Sequence, residues 1–260
     1  MKCPLCLSKQ FQFLFRSNET HGRHSSGSFT IPFYKCRSCA CVYPKIKTNP
    51  SFYEKYYPKN YYQESSNFLT DIWAKFSFCF KNKLIGSPKT LLDVGCGQGD
   101  FVLQLNKHIK VSGIDIRPNS HPSLITGDFL THKFSQKYDC ITFWHSLEHF
   151  PHPRLVIKKA VSLLNQHGQI LVAIPNTNSL AYKLGQQNWF HLDAPRHLFI
   201  PNPDNIKLLF PKNFQVTVTS SPYEFPLDLF WSLKKYPILR FFYPILKLFD
   251  GETMVVRAQN

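Results

Sequence analysis

From residue 91 onward, short apolar runs alternate with stretches whose apolar residues recur at helical spacing. Leu91-Leu92-Asp93-Val94 predicts a strand, Gly95–Gly99 a turn, and 100–107 a helix with Phe101, Val102 and Leu105 inward. Further apolar runs at 111–116, 124–126, 140–143 and 170–174 predict strands, and 153–164 predicts a helix. Strands alternating with helices predict an α/β fold, a parallel sheet with helices on both faces. Such sheets bind ligands at the carboxyl ends of their strands. Residues 68–85 read as a helix preceding this domain.

Charge is distributed unevenly. Residues 1–50 carry eight Lys/Arg and one acid, whereas residues 91–150 carry five against six in a chain of net charge +15. The basic remainder suggests an anionic partner, such as a phosphorylated small molecule, nucleic acid or an anionic membrane, or else a solvated surface. The acids of the middle block are Asp93, Asp100, Asp115, Asp128, Asp139 and Glu148. Asp93, Asp115 and Asp128 fall at or just past predicted strand ends, as does the segment from Trp144 to His149.

The N-terminus adds a different chemistry. Cys3/Cys6 and Cys36/Cys39 are two Cys-x-x-Cys pairs. Each spacer lets one tight turn aim two thiolates at one ion, and two turns complete a tetrahedral zinc site. Polar, glycine- and serine-rich residues between the pairs suit a zinc ribbon over 1–47. Four buried or redox-active thiols are the alternative, with His21 and His24 as substitute ligands and Cys41 as a core residue. Met1-Lys2-Cys3-Pro4 lacks an apolar signal region, so a reducing, cytoplasmic setting is expected, where metal binding prevails over disulfides. Residues 48–88 form an aromatic-rich connector and helix, in which Tyr53, Tyr56, Tyr57, Tyr61 and Tyr62 either line a cleft or pack between domains.

The glycine turn is not that of a dinucleotide fold. Counting from Gly95, the third glycine of that pattern falls on Asp100; the pattern present is Asp93-x-Gly95-x-Gly97-x-Gly99. No Lys-Ser/Thr follows for a triphosphate. An acid before the glycines repels a pyrophosphate and attracts an ammonium. Asp115, twenty residues after Gly95, suits a ribose diol. Asp128-Phe129 offers an acceptor for an adenine amino group and a ring to stack on it. A ligand with a cationic amine, a ribose and an adenine but no phosphate is S-adenosylmethionine.

With these segments together, residues 90–258 resemble a class I S-adenosylmethionine-dependent methyltransferase. The matching segments are Leu-Leu-Asp-Val-Gly-Cys-Gly-Gln-Gly-Asp-Phe (91–101), Gly-Ile-Asp-Ile (113–116), Gly-Asp-Phe (127–129) and Phe-Trp-His-Ser-Leu-Glu-His-Phe (143–150). The stretch from Trp189 to Leu198 is similar to a subgroup met among bacterial small-molecule and sugar methyltransferases. A four-Cys module before the domain also resembles certain deoxysugar C-methyltransferases, although Leu7 and Ala40 stand where ribbons usually have Gly. The resemblance implies a Rossmann-like, mostly parallel sheet of seven strands over 89–260, ending in an antiparallel hairpin at 214–218 and 253–256. It implies that Asp93, Gly95, Gly97 and Gly99 hold the methionine end. Asp115 would take the ribose, Asp128 and Phe129 the adenine, Trp144 and His145 would border the methyl donor, and Ile116 would belong to the same cofactor-binding set.

A neutral acceptor needs its proton removed. His149 is the favoured base, with Glu148 beside it and His197 as rival; structural or substrate-orienting roles are the alternative. If the turn is helical, His145 and His149 share a face. Arg196 either grips a substrate anion or forms a buried pair. The apolar segment 225–249, interrupted by Lys234, Lys235, Arg240 and Lys247, suits a helical lid, a membrane-surface helix, or a core or dimer contact. The function expected is methylation of a small molecule, such as a sugar or lipid-linked intermediate. The rivals are an RNA methyltransferase and a non-catalytic, zinc-anchored binding protein.

Overall fold

The computed structural model describes residues 1–18, 30–57, 68–105, 109–119, 121–221, 232, 233, 238 and 251–260. His21, His24, Tyr61, Tyr62, the end of the 100–107 helix and nearly all of 225–249 lie outside them. The chain forms two sheets. The smaller is antiparallel, with β1 (Phe11–Asn18), β2 (Thr30–Cys36) and β3 (Val42–Pro44) in that order. The larger contains β4 (Thr90–Val94), β5 (Lys110–Asp115), β6 (Leu124–Thr126), β7 (Tyr138–Trp144), β8 (Leu164–Pro175), β9 (Gln215–Ser221) and β10 (Thr253–Gln259). Its spatial order is β6-β5-β4-β7-β8-β10-β9. β4 to β8 pair in parallel, and β10 runs antiparallel to both β8 and β9. This is the Rossmann-like sheet with a terminal hairpin that the sequence predicts.

The burial of the central strands explains their composition. Leu91 to Val94 in β4 and Cys140 to Trp144 in β7 are all buried, so both sheet faces are covered and the strands read as nearly continuous apolar runs. Among the described residues, α1 (Pro50–Tyr56), α2 (Phe68–Ile85), α3 (Asp100–Gln104), α4 (Pro153–Ser162) and α5 (Leu180–Gly185) accompany the sheets. α4 starts with Pro153, whose missing N–H costs nothing in a first turn, and buries Val156, Ile157 and Ala160 along one stripe. The chain leaves the centre of the sheet from β4 toward β6 and returns on the other side at β7. The switch point between β4 and β7 opens a crevice at their carboxyl ends. No helix among the described residues is long and apolar enough to cross a membrane.

The small sheet does not stand apart from the large one. Cys3, Leu5, Cys36, Cys41 and Tyr43 belong to the same apolar core as Leu147, Phe199 and Ile206. Ile31, Phe33 and Val42 pack with Trp189, Leu192 and Ile200. Val42 and Ile200 exchange two backbone hydrogen bonds, of 3.1 and 2.7 Å. Arg154 Nη1 donates to the Leu5 carbonyl and Asn205 Nδ2 to the Cys39 carbonyl, both at 2.8 Å. Leu5→Ala, at a fully buried site, is expected to cost about 2–5 kcal/mol. Calorimetry should show one cooperative unfolding transition at lower temperature; a separate early transition, with the remainder unshifted, would contradict a shared core.

Candidate active site

The turn after β4 is built by positive φ angles. Gly95 has φ +74 and Gly99 φ +85, conformations that side chains strain. A Cβ on Gly95 would sit 2.5 Å from Ser146 Cβ, and one on Gly99 2.5 Å from Leu124 Cδ1. The turn is thus wedged between the exit of β7 and the first residue of β6. Gly95 N–H donates to the Ile114 carbonyl (2.8 Å), Gly97 N–H to Asp115 Oδ2 (2.9 Å), and Ser146 Oγ to the Val94 carbonyl (2.6 Å).

Three carboxylates line this crevice in different states. Asp93 is buried and accepts from Thr142 Oγ1 at 2.7 Å; burial pushes its carboxyl up to about 6. Asp115 accepts from the Gly97 and Arg117 amides, each at 2.9 Å, and burial raises it as well. Asp128 is exposed and caps its own turn through the Leu130 amide at 2.7 Å. Ile116, 58% exposed, provides an apolar rim beside Asp115. Phe129 requires a correction. Its ring is only 2% exposed and packs on Phe134 and Phe143, so it belongs to the core and is not presented for stacking. Its register explains this: Asp128 at the turn faces solvent and the next residue faces inward.

Trp144 ends β7, with its ring edge-on to Phe101 (5.6 Å) and Lys81 Nζ 5.4 Å from its centroid. Its indole Nε1 is buried with no hydrogen-bond partner among the described residues. The charge of Lys81 also acts on Asp93. Sequence reasoning missed Lys81, because one lysine in a helix that also carries Lys75 and Lys83 gives no signal.

The segment after β7 is not one helix. His145 has φ +50, and only Leu147–His149 forms a 3-10 turn, so His145 and His149 do not share a helical face as expected. His145 Nδ1 lies 3.5 Å from Glu148 Oε1. Burial alone would raise Glu148, but the hydrogen bond from His145 and the surrounding imidazoles hold it down to about 2. His197 Nδ1 donates to the His191 carbonyl (2.7 Å), leaving Nε2 3.6 Å from Asp193 Oδ2 and 3.8 Å from Glu148 Oε1. Burial pushes His197 down to about 4. Ligand atoms of Glu148, His149 and His197 lie within 4.8 Å of one another, close enough to share a proton or take a divalent ion.

His149 is the half-buried member of this trio. Its Nδ1 lies 3.1 Å from the Arg196 carbonyl and 2.9 Å from the Tyr57 hydroxyl. A carbonyl can only accept, so a hydrogen bond to Arg196 requires the hydrogen on Nδ1, whereas the Tyr57 hydroxyl can donate to that nitrogen or accept from it. Arg196 itself is buried and bonded to Asp193 Oδ1 at 2.6 Å, which makes it the buried pair and not a substrate grip. Tyr57 ends the α1 segment beside the crevice. Arg117 lies 5.8 Å over its ring, and Tyr53 stacks on it at 6.1 Å. Burial and then the charge of Asp128 raise the Tyr53 phenol. Thus Tyr53 and Tyr57 face the crevice, whereas Tyr56 packs on Phe52.

The four N-terminal cysteines converge. Their sulfurs lie within 4.8 Å of one another, with Cys3–Cys39 and Cys6–Cys36 both at 3.5 Å. Tetrahedral zinc with thiolates at about 2.3 Å requires sulfurs roughly 3.8 Å apart, and the cluster fits. Leu7 (φ +63) and Ala40 (φ +62) close the two turns through N–H bonds to the Cys3 and Cys36 carbonyls. They adopt the glycine-like conformation despite their side chains.

The fold and the crevice together define a class of protein. The sheet order is that of the class I methyltransferases, and the acidic crevice has no phosphate cradle. A family profile described as "Methyltransferase domain" matches residues 63–221, more than half of the chain, and the chain belongs to that family. Among curated proteins, the ubiquinone biosynthesis O-methyltransferase of Coxiella burnetii (strain RSA 493 / Nine Mile phase I) is 32% identical over 110 residues, 36% of this chain and 47% of the relative. That of Erwinia tasmaniensis is 28% identical over 117 residues, 39% and 47%. The chain spans about half the length of these relatives. Among solved structures, the plantazolicin methyltransferase BamL, in complex with a triazolic desmethylPZN analog and SAH, has TM-score 0.49 and 17% identity, covering 82% of this chain and 91% of that one.

The state of Asp93 has a measurable consequence. Its folded pKa of about 6 lies above that of an unfolded aspartate, about 3.9, so the native state holds the proton more tightly. Ionised Asp93 therefore costs stability above about pH 6, and the cost fades as the pH falls toward 4. Asp93→Asn is expected to raise Tm at pH 8 and to give a shrinking gain down to pH 4. An equal gain at both ends would contradict this assignment.

Proposed function

We propose that the protein transfers a methyl group from S-adenosylmethionine to a hydroxyl of a small molecule, a sugar or a lipid-linked intermediate. The observation that carries this reading is the place of His149 just past the carboxyl end of β7, with Nδ1 held by the Arg196 carbonyl and the Tyr57 hydroxyl; with the ring hydrogen on Nδ1, Nε2 is the base. The cofactor supplies a methyl on a sulfonium, electrophilic enough for in-line displacement. Asp93 and Lys81 offer opposite charges to the ammonium and carboxylate of its methionine end. Asp115 accepts from the ribose diol, and Asp128 with Ile116 takes the adenine. Trp144 and His145 border the methyl. His149 Nε2 removes the acceptor proton, while ionised Glu148 steadies the charge that His149 gains. Tyr57 and the Arg196 carbonyl hold the His149 ring in place, and His197 lies behind it. The printed names of the curated relatives, O-methyltransferases of ubiquinone biosynthesis, support an oxygen acceptor.

Residues 1–47 are proposed to hold one zinc ion through Cys3, Cys6, Cys36 and Cys39. A thiolate cluster this tight needs a cation to offset its repulsion. The left-handed Leu7 and Ala40 cost about 1–2 kcal/mol each, which metal binding offsets.

Calorimetry with S-adenosylhomocysteine tests the cofactor. The wild type should bind, and Asp115→Ala should lose roughly 1–3 kcal/mol. Unchanged affinity in that variant would overturn the ribose assignment. His149→Ala should bind as the wild type does, while single-turnover methylation across a panel of small hydroxyl acceptors falls about 10²–10⁴-fold. Normal turnover would remove His149 as the base.

Metal analysis should find one zinc per chain, lost in Cys36→Ser/Cys39→Ser together with a lower Tm for the whole protein. Stoichiometric zinc in that variant would place the ligands elsewhere.

A further inference from the structure

A second pocket lies behind the wall that carries His149. It occupies about 420 Å³ between the small sheet and α1, within the size range of ligand sites. Ile31, Ile46, Phe52 and Pro195 give it an apolar floor, and Lys45, Lys47 and Lys55 stand at its edge. Among the described residues, no carboxylate lines it. Lys55 Nζ lies 4.6 Å over the Tyr56 ring and 2.9 Å from its hydroxyl, which fixes one ammonium at the rim.

The wall is thin on both sides. Pro195 lines the pocket, and the next residue, Arg196, receives the His149 Nδ1 hydrogen bond. Tyr56 lines it too, and the next residue, Tyr57, contacts the same nitrogen. Arg196, the one cation that the sequence offered for an anionic substrate, is committed to Asp193. Three ammoniums suit a phosphate dianion, which Lys meets as a point charge without the fixed geometry Arg demands. The apolar floor suits a hydrocarbon or ring attached to it.

We propose that this pocket binds a phosphate ester with an apolar body, on the far side of the wall from the methyl-transfer crevice and independently of the methyl-transfer reading. The probe is phenyl phosphate, titrated into the full-length protein by calorimetry, with benzyl alcohol as its neutral counterpart. The wild type should bind phenyl phosphate at least about tenfold more tightly than benzyl alcohol, and Lys45→Gln/Lys47→Gln/Lys55→Gln should lose roughly tenfold or more. Affinity for S-adenosylhomocysteine, measured on the same variant, should not change, which shows that the variant folds. Equal binding of the two probes, or undiminished phenyl phosphate binding by the triple variant, would overturn the proposal. Vesicles of phosphatidylcholine with and without phosphatidic acid distinguish the source. Lysine-dependent retention on the acidic vesicles, competed by phenyl phosphate, identifies a lipid phosphate; no retention identifies a soluble ester. Failure of S-adenosylhomocysteine to bind the wild type would strike at the methyl-transfer reading and leave the phosphate result standing.

Discussion

Two backbone hydrogen bonds between Val42 and Ile200 hold the upper part of the molecule in register. Val42 opens β3, the last strand of the cysteine-bearing sheet; Ile200 closes the loop that carries Asp193, Arg196 and His197. Because β3 is anchored there, α1 begins only a few residues later at a fixed place, and Tyr57 arrives beside His149. The same anchorage leaves the lysine-edged pocket between the small sheet and α1. The cysteine-bearing sheet thereby shapes both the surroundings of His149 and the space behind it. The apolar contacts of Leu5, Cys41 and Tyr43 with the main core make this coupling stiff.

The crevice itself is a balance of buried charge. Asp93 and Glu148 are both out of water, yet their environments drive them in opposite directions. Asp93 has one hydroxyl donor at 2.7 Å and is raised; Glu148 is ringed by imidazoles and stays ionised. The two sit close together, since β4 and β7 are neighbours in the sheet: a carboxyl near its titration point in β4, and a fixed negative charge after β7 beside His149. His197, neutral through burial, fills the space between Glu148 and Asp193 and gives His149 a ring to lean on at 4.8 Å.

Much of this was legible in the chain. Apolar runs and glycine spacing placed the parallel strands, because buried strands and positive-φ turns leave few residue choices. The four cysteines were equally plain, since their spacing is dictated by the metal geometry they suit. What was not legible depends on side-chain direction. Phe129 looked like a stacking ring, but strand-end register turns it inward. His145 and His149 looked like helical neighbours, but a left-handed His145 breaks the turn. Tyr57 and Lys81 carried no pattern of their own. They matter because tertiary packing brings α1 and α2 over the strand ends, and nothing in local spacing records that.

We propose that the Arg196 carbonyl, 3.1 Å from His149 Nδ1, keeps the ring hydrogen on that nitrogen and leaves Nε2 to act as the base. Long-range proton–nitrogen correlation spectra of the histidine rings, with S-adenosylhomocysteine added and His149→Gln used for assignment, read this directly. At pH 8 the expected result is a His149 Nδ1 resonance of the protonated type and an Nε2 resonance of the unprotonated type. A hydrogen found on Nε2 in the wild type would contradict it.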